Sequence, residues 1–167
     1  MPLTNIPGTN IFFGDFMTPF KESRLREHNI ADVFFLPPHH KLPQFEGINY
    51  HTYQTDNHPL INNLASANLI KSANSLKTNY AIFCYAGMDT SPAFALACLL
   101  ARGYSLKNAK AKMAMALGKT GSKAHLKLIM NYGKDIYLSY RTFQRTKLQK
   151  KLVKPKVIIK PIRRRRK

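Results

Sequence analysis

The stretch Cys84-Tyr85-Ala86-Gly87-Met88-Asp89-Thr90-Ser91 places a thiol, a glycine and a hydroxyl between an apolar run and a Ser-Pro pair. A thiolate is a nucleophile, and a ring of backbone N–H groups around it would hold an anion, so the chemistry open to this stretch is attack on a bound anionic group. The flanking elements must position it. Tyr80 to Phe83 is short, apolar and aromatic, which predicts a covered central strand, and Gly87 lets the backbone turn where a side chain would obstruct it. Ser91 reads as a helix cap with Pro92 in the first helical position, where its missing N–H costs nothing. Ala93 to Ala101 is apolar on every face, so this helix lies inside the domain. Strand, tight loop and helix N-terminus in succession aim N–H groups at one point, an anion site with a cysteine at its mouth.

With those residues in place the chain resembles the cysteine-dependent protein phosphatases, most closely the small dual-specificity type, whose signature is His-Cys-x-x-Gly-x-x-Arg-Ser/Thr. Cys84, Gly87 and Ser91 match it, while Phe83 stands for the histidine and Thr90 for the arginine. The resemblance extends over roughly residues 8 to 140. Asn10 to Asp15 is similar to the family's opening strand, Lys21 to Ala31 to the following helix and turn, and Asp32 to Leu36 and Ile48 to Gln54 to further strands. Thr55-Asp56-Asn57-His58 resembles the loop carrying the general acid. The resemblance implies an α/β layer sandwich with a central sheet of about 4–5 strands flanked by helices.

In a working member of that family the cysteine attacks phosphorus, the aspartate protonates the leaving oxygen and the arginine grips two phosphate oxygens. By resemblance Cys84 and Asp56 take the first two roles, and Ser91 is the hydroxyl that helps the thiolate leave. Thr90 has neither the charge nor the planar fork for the third. Losing such a clamp costs on the order of 3–4 kcal/mol, or about 10²–10³ in rate. Asp89 adds a carboxylate that repels an incoming dianion and a thiolate alike, and Phe83 removes the histidine that helps hold the loop. These departures predict a pseudophosphatase with no catalytic residue and no cofactor, in which Cys84 is a partly buried thiol. Asp56 is a relic acid or the cap of the helix that follows it. Asp89 is expected to turn inward and fill the N–H ring.

Around this centre the sequence divides into an extended segment over residues 1–9, a phosphatase-like domain over 10–149 and a basic arm over 150–167. Thr18-Pro19 opens a helix running to Glu27 or His28. Pro37 to Pro43 is an irregular loop in which His39 and His40 point apart, and His51, His58 and His125 are isolated, so no metal site is expected. Pro59 to Leu76 has apolar residues at helical spacing, and helices are expected over Ser105–Leu117, with Ser105 as cap, Ser122–Tyr132 and Asp135–Lys150.

Charge is concentrated at one end. Of 27 Lys and Arg in 167 residues, 13 fall after residue 140, where none of the eight Asp and Glu lies. Beyond Leu152 apolar residues alternate with lysine around Pro155 and Pro161, which excludes a helix and suits an extended arm. Lys150, Lys151, Lys154, Lys156, Lys160, Arg163, Arg164, Arg165, Arg166 and Lys167 are its candidate contacts to nucleic-acid phosphates or to other chains of a large assembly. Two cysteines make no disulfide framework, which suits a reducing compartment, nucleus or cytoplasm or a virion, and no apolar run is long enough for a membrane span. The reading that follows is a scaffolding protein of a nucleic-acid-rich assembly such as a virion or ribosome-like particle. An active or weak dual-specificity or RNA 5′-phosphatase and a phospho-dependent binding module are the alternatives.

Overall fold

Strand β5 (Asn79–Phe83) lies between two strands made earlier in the chain, β2 (Ile11–Gly14) and β3 (Ile30–Phe35), and runs parallel to both. The computed structural model describes residues 3–37, 41–53, 63–118 and 122–152. Strand β4 (Asn49–Thr52) pairs in parallel with β3, and β1 (Thr4–Asn5) pairs antiparallel with β2, giving the sheet order β1-β2-β5-β3-β4. The three inner strands are apolar without alternation because both faces of the sheet are covered. Ile11, Phe13, Phe34, Tyr80 and Ile82 face one core, and Phe12, Val33, Phe35, Ala81 and Phe83 face the other. The first core is roofed by α2 (Asn63–Ser75), α3 (Thr90–Ala101), α4 (Leu106–Leu117) and α5 (Lys123–Leu152), the second by α1 (Glu22–Glu27) and the loop bearing Leu42 and Ile48. This is the α/β layer sandwich the sequence predicts. Every residue of α3 from Ser91 to Leu100 is buried, as its uniformly apolar sequence requires.

The details depart from expectation in four places. The extended segment before residue 10 is part of the sheet and core and not a separate unit: Thr4 and Asn5 pair with Phe13 and Phe12, and Ile6 is fully buried. The helix expected from Thr18 is broken by extended Lys21 into a 3₁₀ turn, Thr18–Phe20, and α1. Met17, not Thr18, holds the cap position of the turn, and Asp15 fastens its entry, its Oδ1 accepting from the N–H groups of Met17 and Thr18 at 3.1 Å and from Thr18 Oγ1 at 3.0 Å. The two helices expected over 122–150 are one, α5, capped by Ser122, whose Oγ accepts from His125 N at 3.1 Å. Gly133 is no break but a close approach, since a Cβ there would stand 2.5 Å from Leu96 Cδ2 and 2.9 Å from the Ala93 carbonyl. Finally, α5 runs on past the expected end at Lys150 to Leu152, so the first two lysines of the basic segment belong to the helix. Lys, Gln and Leu are good helix formers and the first proline stands only at Pro155. The remaining arm residues, Lys154, Lys156, Lys160 and Arg163–Lys167, lie outside the described residues, as do Asp56, His39, His40, His58 and the expected start of α2.

Candidate functional site

Strand β5 ends by delivering Cys84 to the carboxyl edge of the sheet, and the chain turns through Gly87 into α3. Gly87 has φ +71°, and a Cβ on it would lie 2.8 Å from both Asp15 N and Gly14 C. Only glycine therefore allows the loop to sit against the end of β2. Three hydrogen bonds fasten it there. Cys84 N donates to the Gly14 carbonyl at 3.4 Å, Ser91 Oγ donates to the same carbonyl at 3.1 Å, and Phe16 N donates to Tyr85 O at 3.2 Å. The Cys84 thiol in turn donates to Ser91 Oγ at 3.2 Å. The structure thus brings Cys84, Gly87 and Ser91 together, with Cys84 8% exposed at the bottom of the loop and Tyr85 and Met88 exposed at its rim.

Ser91 is not the helix cap. Helix α3 begins at Thr90, two residues before Pro92, its cap position is Asp89 with no side-chain bond to the helix, and Ser91 spends its hydroxyl on Gly14 and Cys84. Thr90 occupies the first helical position. Phe83 is fully buried and packs into the second core, its ring 3.1 Å from where a Gly14 Cβ would stand. The apolar ring therefore does packing work that a histidine would not.

Asp89 does not turn inward. Its side chain is half exposed, and Oδ1 lies 3.0 Å from His125 Nε2, which also lies 2.8 Å from the Met88 carbonyl oxygen. A carbonyl can only accept, so Nε2 carries the proton and bridges both oxygens. His125, read as isolated from sequence, is the link between α5 and the loop. Arg102 offers no substitute for the missing arginine. It ends α3 at the far side from Thr90, where it donates to Asn10 Oδ1 at 2.6 Å and to Asn74 Oδ1 at 3.3 Å and lies over the Tyr80 ring.

Gly14 and His125 are the residues that sequence reasoning missed. The only signal for Gly14 was a glycine ending an apolar strand, and for His125 there was none. His51 is likewise paired. Its Nε2 lies 2.9 Å from Oδ1 of buried Asp32, which also accepts from Asn49 Nδ2 and Thr78 Oγ1. The β3–β4 register sets Asp32 beside Asn49 and Phe34 beside His51, so this pair sits away from the end of the sheet that carries Cys84. Among the described residues no group of three or more His, Cys, Asp and Glu stands together to hold a metal, and no helix is long and apolar enough to cross a membrane.

No family model matches the chain, and no curated protein matches it in sequence. Solved structures do. Human DUSP28 is 15% identical, with 86% of this chain covering 99% of that one at a TM-score of 0.62. A leucine rich repeat and phosphatase domain containing protein from Entamoeba histolytica is 15% identical, with 87% and 94% of the two chains covered and a TM-score of 0.58. The human tyrosine phosphatase-like serine/threonine/tyrosine-interacting protein is 14% identical, with 88% and 98% covered and a TM-score of 0.57. These likenesses span nearly the whole of each relative at low identity, and what they establish is architecture: this chain has the fold of the dual-specificity phosphatases.

Proposed function

We propose that this chain is a pseudophosphatase, and that it serves as a scaffolding component of a large nucleic-acid-rich assembly, such as a virion or a ribosome-like particle, anchored through its basic C-terminal arm. The observation that carries the first half is the make-up of the loop. Cys84, Gly87 and Ser91 are held in the form of an anion cradle, yet no residue from Phe83 to Ser91 is cationic and Asp89 adds a carboxylate at the rim. Phosphoryl transfer relies on cations to absorb the charge of the transferring group, and a threonine hydroxyl in place of the arginine forfeits about 3–4 kcal/mol of that stabilisation. The second half is supported by charge: 13 Lys and Arg with no acid over the last 27 residues is the composition of an arm that contacts phosphate backbones.

Phospho-dependent binding is the second reading, favoured by one finding: the Asp89 carboxylate is engaged by His125 at the rim of the loop. A human protein of this fold is described as phosphatase-like and interacting, which fits either reading. One pair of measurements separates the cases. Purified protein is assayed on an aryl phosphate, and its melting temperature is read with and without millimolar phosphate, sulfate or vanadate. The scaffold reading expects no turnover and no shift. A shift abolished by Ser91→Ala would establish the binder, and turnover abolished by Cys84→Ser would establish an enzyme.

A further inference from the structure

Helices α4 and α5 border a groove of about 960 Å³ whose lining includes no residue of the Cys84 loop. Lys107, Lys110, Lys123, Lys127 and Lys134 line it, and no carboxylate does. Among the described residues none of these five ammonium groups is in an ion pair. The floor between them is aliphatic, made by Leu106, Leu126 and Met130. Leu106 is 42% exposed, and the groove continues past Leu106 and Lys134 into a second apolar hollow bordered by Tyr137 and by Leu138, itself 56% exposed.

Leu106 is open to solvent, while Leu126 is partly buried and Met130 is 7% exposed, so the floor is a shallow aliphatic strip between lysines with no ion-pair partner among the described residues. We propose that this groove is a docking site for an acidic amphipathic helix of a partner protein, its leucine-like face on Leu106, Leu126 and Met130 and its carboxylates against the flanking lysines. The length fits. Lys123 to Leu138 spans about 22 Å at 1.5 Å per residue, which accommodates about 15 residues of a helix laid alongside. A nucleic-acid strand would satisfy the lysines but would leave the aliphatic floor without a matching surface. The lysine-lined part of the groove also presents no aromatic ring on which a base would stack. The site does not depend on the proposed loss of turnover.

The test uses the full chain and a fluorescein-labelled 15-residue helical peptide with leucine on one face and glutamate on its flanks. An oligoglutamate of equal charge and a single-stranded RNA 15-mer are the comparison probes, read by anisotropy. The peptide is expected to bind at least tenfold more tightly than oligoglutamate. Lys110→Glu with Lys127→Glu should weaken it at least tenfold, and Leu106→Ser at least fivefold. All three positions are exposed, and circular dichroism confirms that each variant is folded. Perturbed amide resonances confined to α4 and α5 would locate the peptide independently. The proposal is overturned if the peptide does not bind, if the groove variants leave its affinity unchanged because the arm alone captures it, or if RNA or oligoglutamate binds as tightly with no effect of Leu106→Ser.

Discussion

His125 Nε2 stands 3.0 Å from Asp89 Oδ1 and 2.8 Å from the Met88 carbonyl oxygen, so the first turn of α5 holds the rim of the Cys84–Ser91 loop. The carboxylate is half exposed, and such pairs contribute about 0.2–1 kcal/mol. A double-mutant cycle of His125→Ala and Asp89→Ala, followed by urea denaturation, should return a coupling energy in that range. A coupling of zero would mean that the contact does not form in solution.

Two glycines should respond differently to alanine. Gly87→Ala places a Cβ on a positive-φ residue and 2.8 Å from backbone atoms that cannot move aside, which should cost about 2 kcal/mol or more. Gly133→Ala meets the flexible end of Leu96 and the Ala93 carbonyl, an overpacking of about 1–3 kcal/mol. About 1 kcal/mol of that is offset by helix propensity. Guanidinium midpoints should therefore rank wild type above Gly133→Ala above Gly87→Ala.

The two cysteines should label separately. Cys98 is fully buried and burial pushes its thiol up to about 12, so iodoacetamide should spare it in the native protein and modify it only in denaturant. Native labelling should fall on Cys84 and vanish in Cys84→Ser.

Stability should fall as pH rises from about 9 to about 12. Over that window the unfolded chain releases the Cys98 proton while the folded chain retains it, so the unfolded state binds fewer protons and gains. Burial, assisted by the charge of Glu22, likewise pushes Tyr50 up to about 12, and its contribution runs in the same direction. Denaturation midpoints measured from pH 8 to 11 should decline, less steeply in Cys98→Ala.

Truncation after Leu152 should leave the circular dichroism spectrum and melting temperature nearly unchanged while abolishing retention on a polynucleotide. The full chain should lose affinity steeply with salt, by about 0.7–0.9 in log–log slope per phosphate contacted. Undiminished binding by the truncated chain would reduce the arm to a solvated charge run.

What could be read from sequence was whatever local pattern alone decides. Ile11–Phe13, Tyr80–Phe83 and the all-apolar α3 announce buried elements because no other environment suits them. Ser105 is found as a cap because its partner, Asn108, is three residues away. Ser91 was misread as a cap because its acceptor, the Gly14 carbonyl, is 77 residues distant and the local Ser-Pro pattern gives no hint of it. His125 with Asp89 and His51 with Asp32 were missed for the same reason: each pair is made by packing or strand register. The continuity of α5 through Gly133 is not legible locally either, because the glycine's packing against Leu96 and Ala93 of α3 exists only once both helices are in place.

The sheet order has a consequence for how the chain comes to be folded. Strands β2 and β3 never touch; each pairs with β5, which is synthesised after both. A nascent chain that ends before Asn79 therefore lacks the strand to which both β2 and β3 pair in the finished sheet. Both inner edges stay open until residues 79–83 insert between them, a long-range closure whose entropic cost falls late in synthesis. Because Cys84 and Ser91 both lean on Gly14, the cradle cannot take shape until that insertion is complete. Protease resistance in chains stalled at successive lengths should accordingly appear only after β5 has emerged, and the state of the Cys84 thiol then reports whether the two halves of the sheet have met.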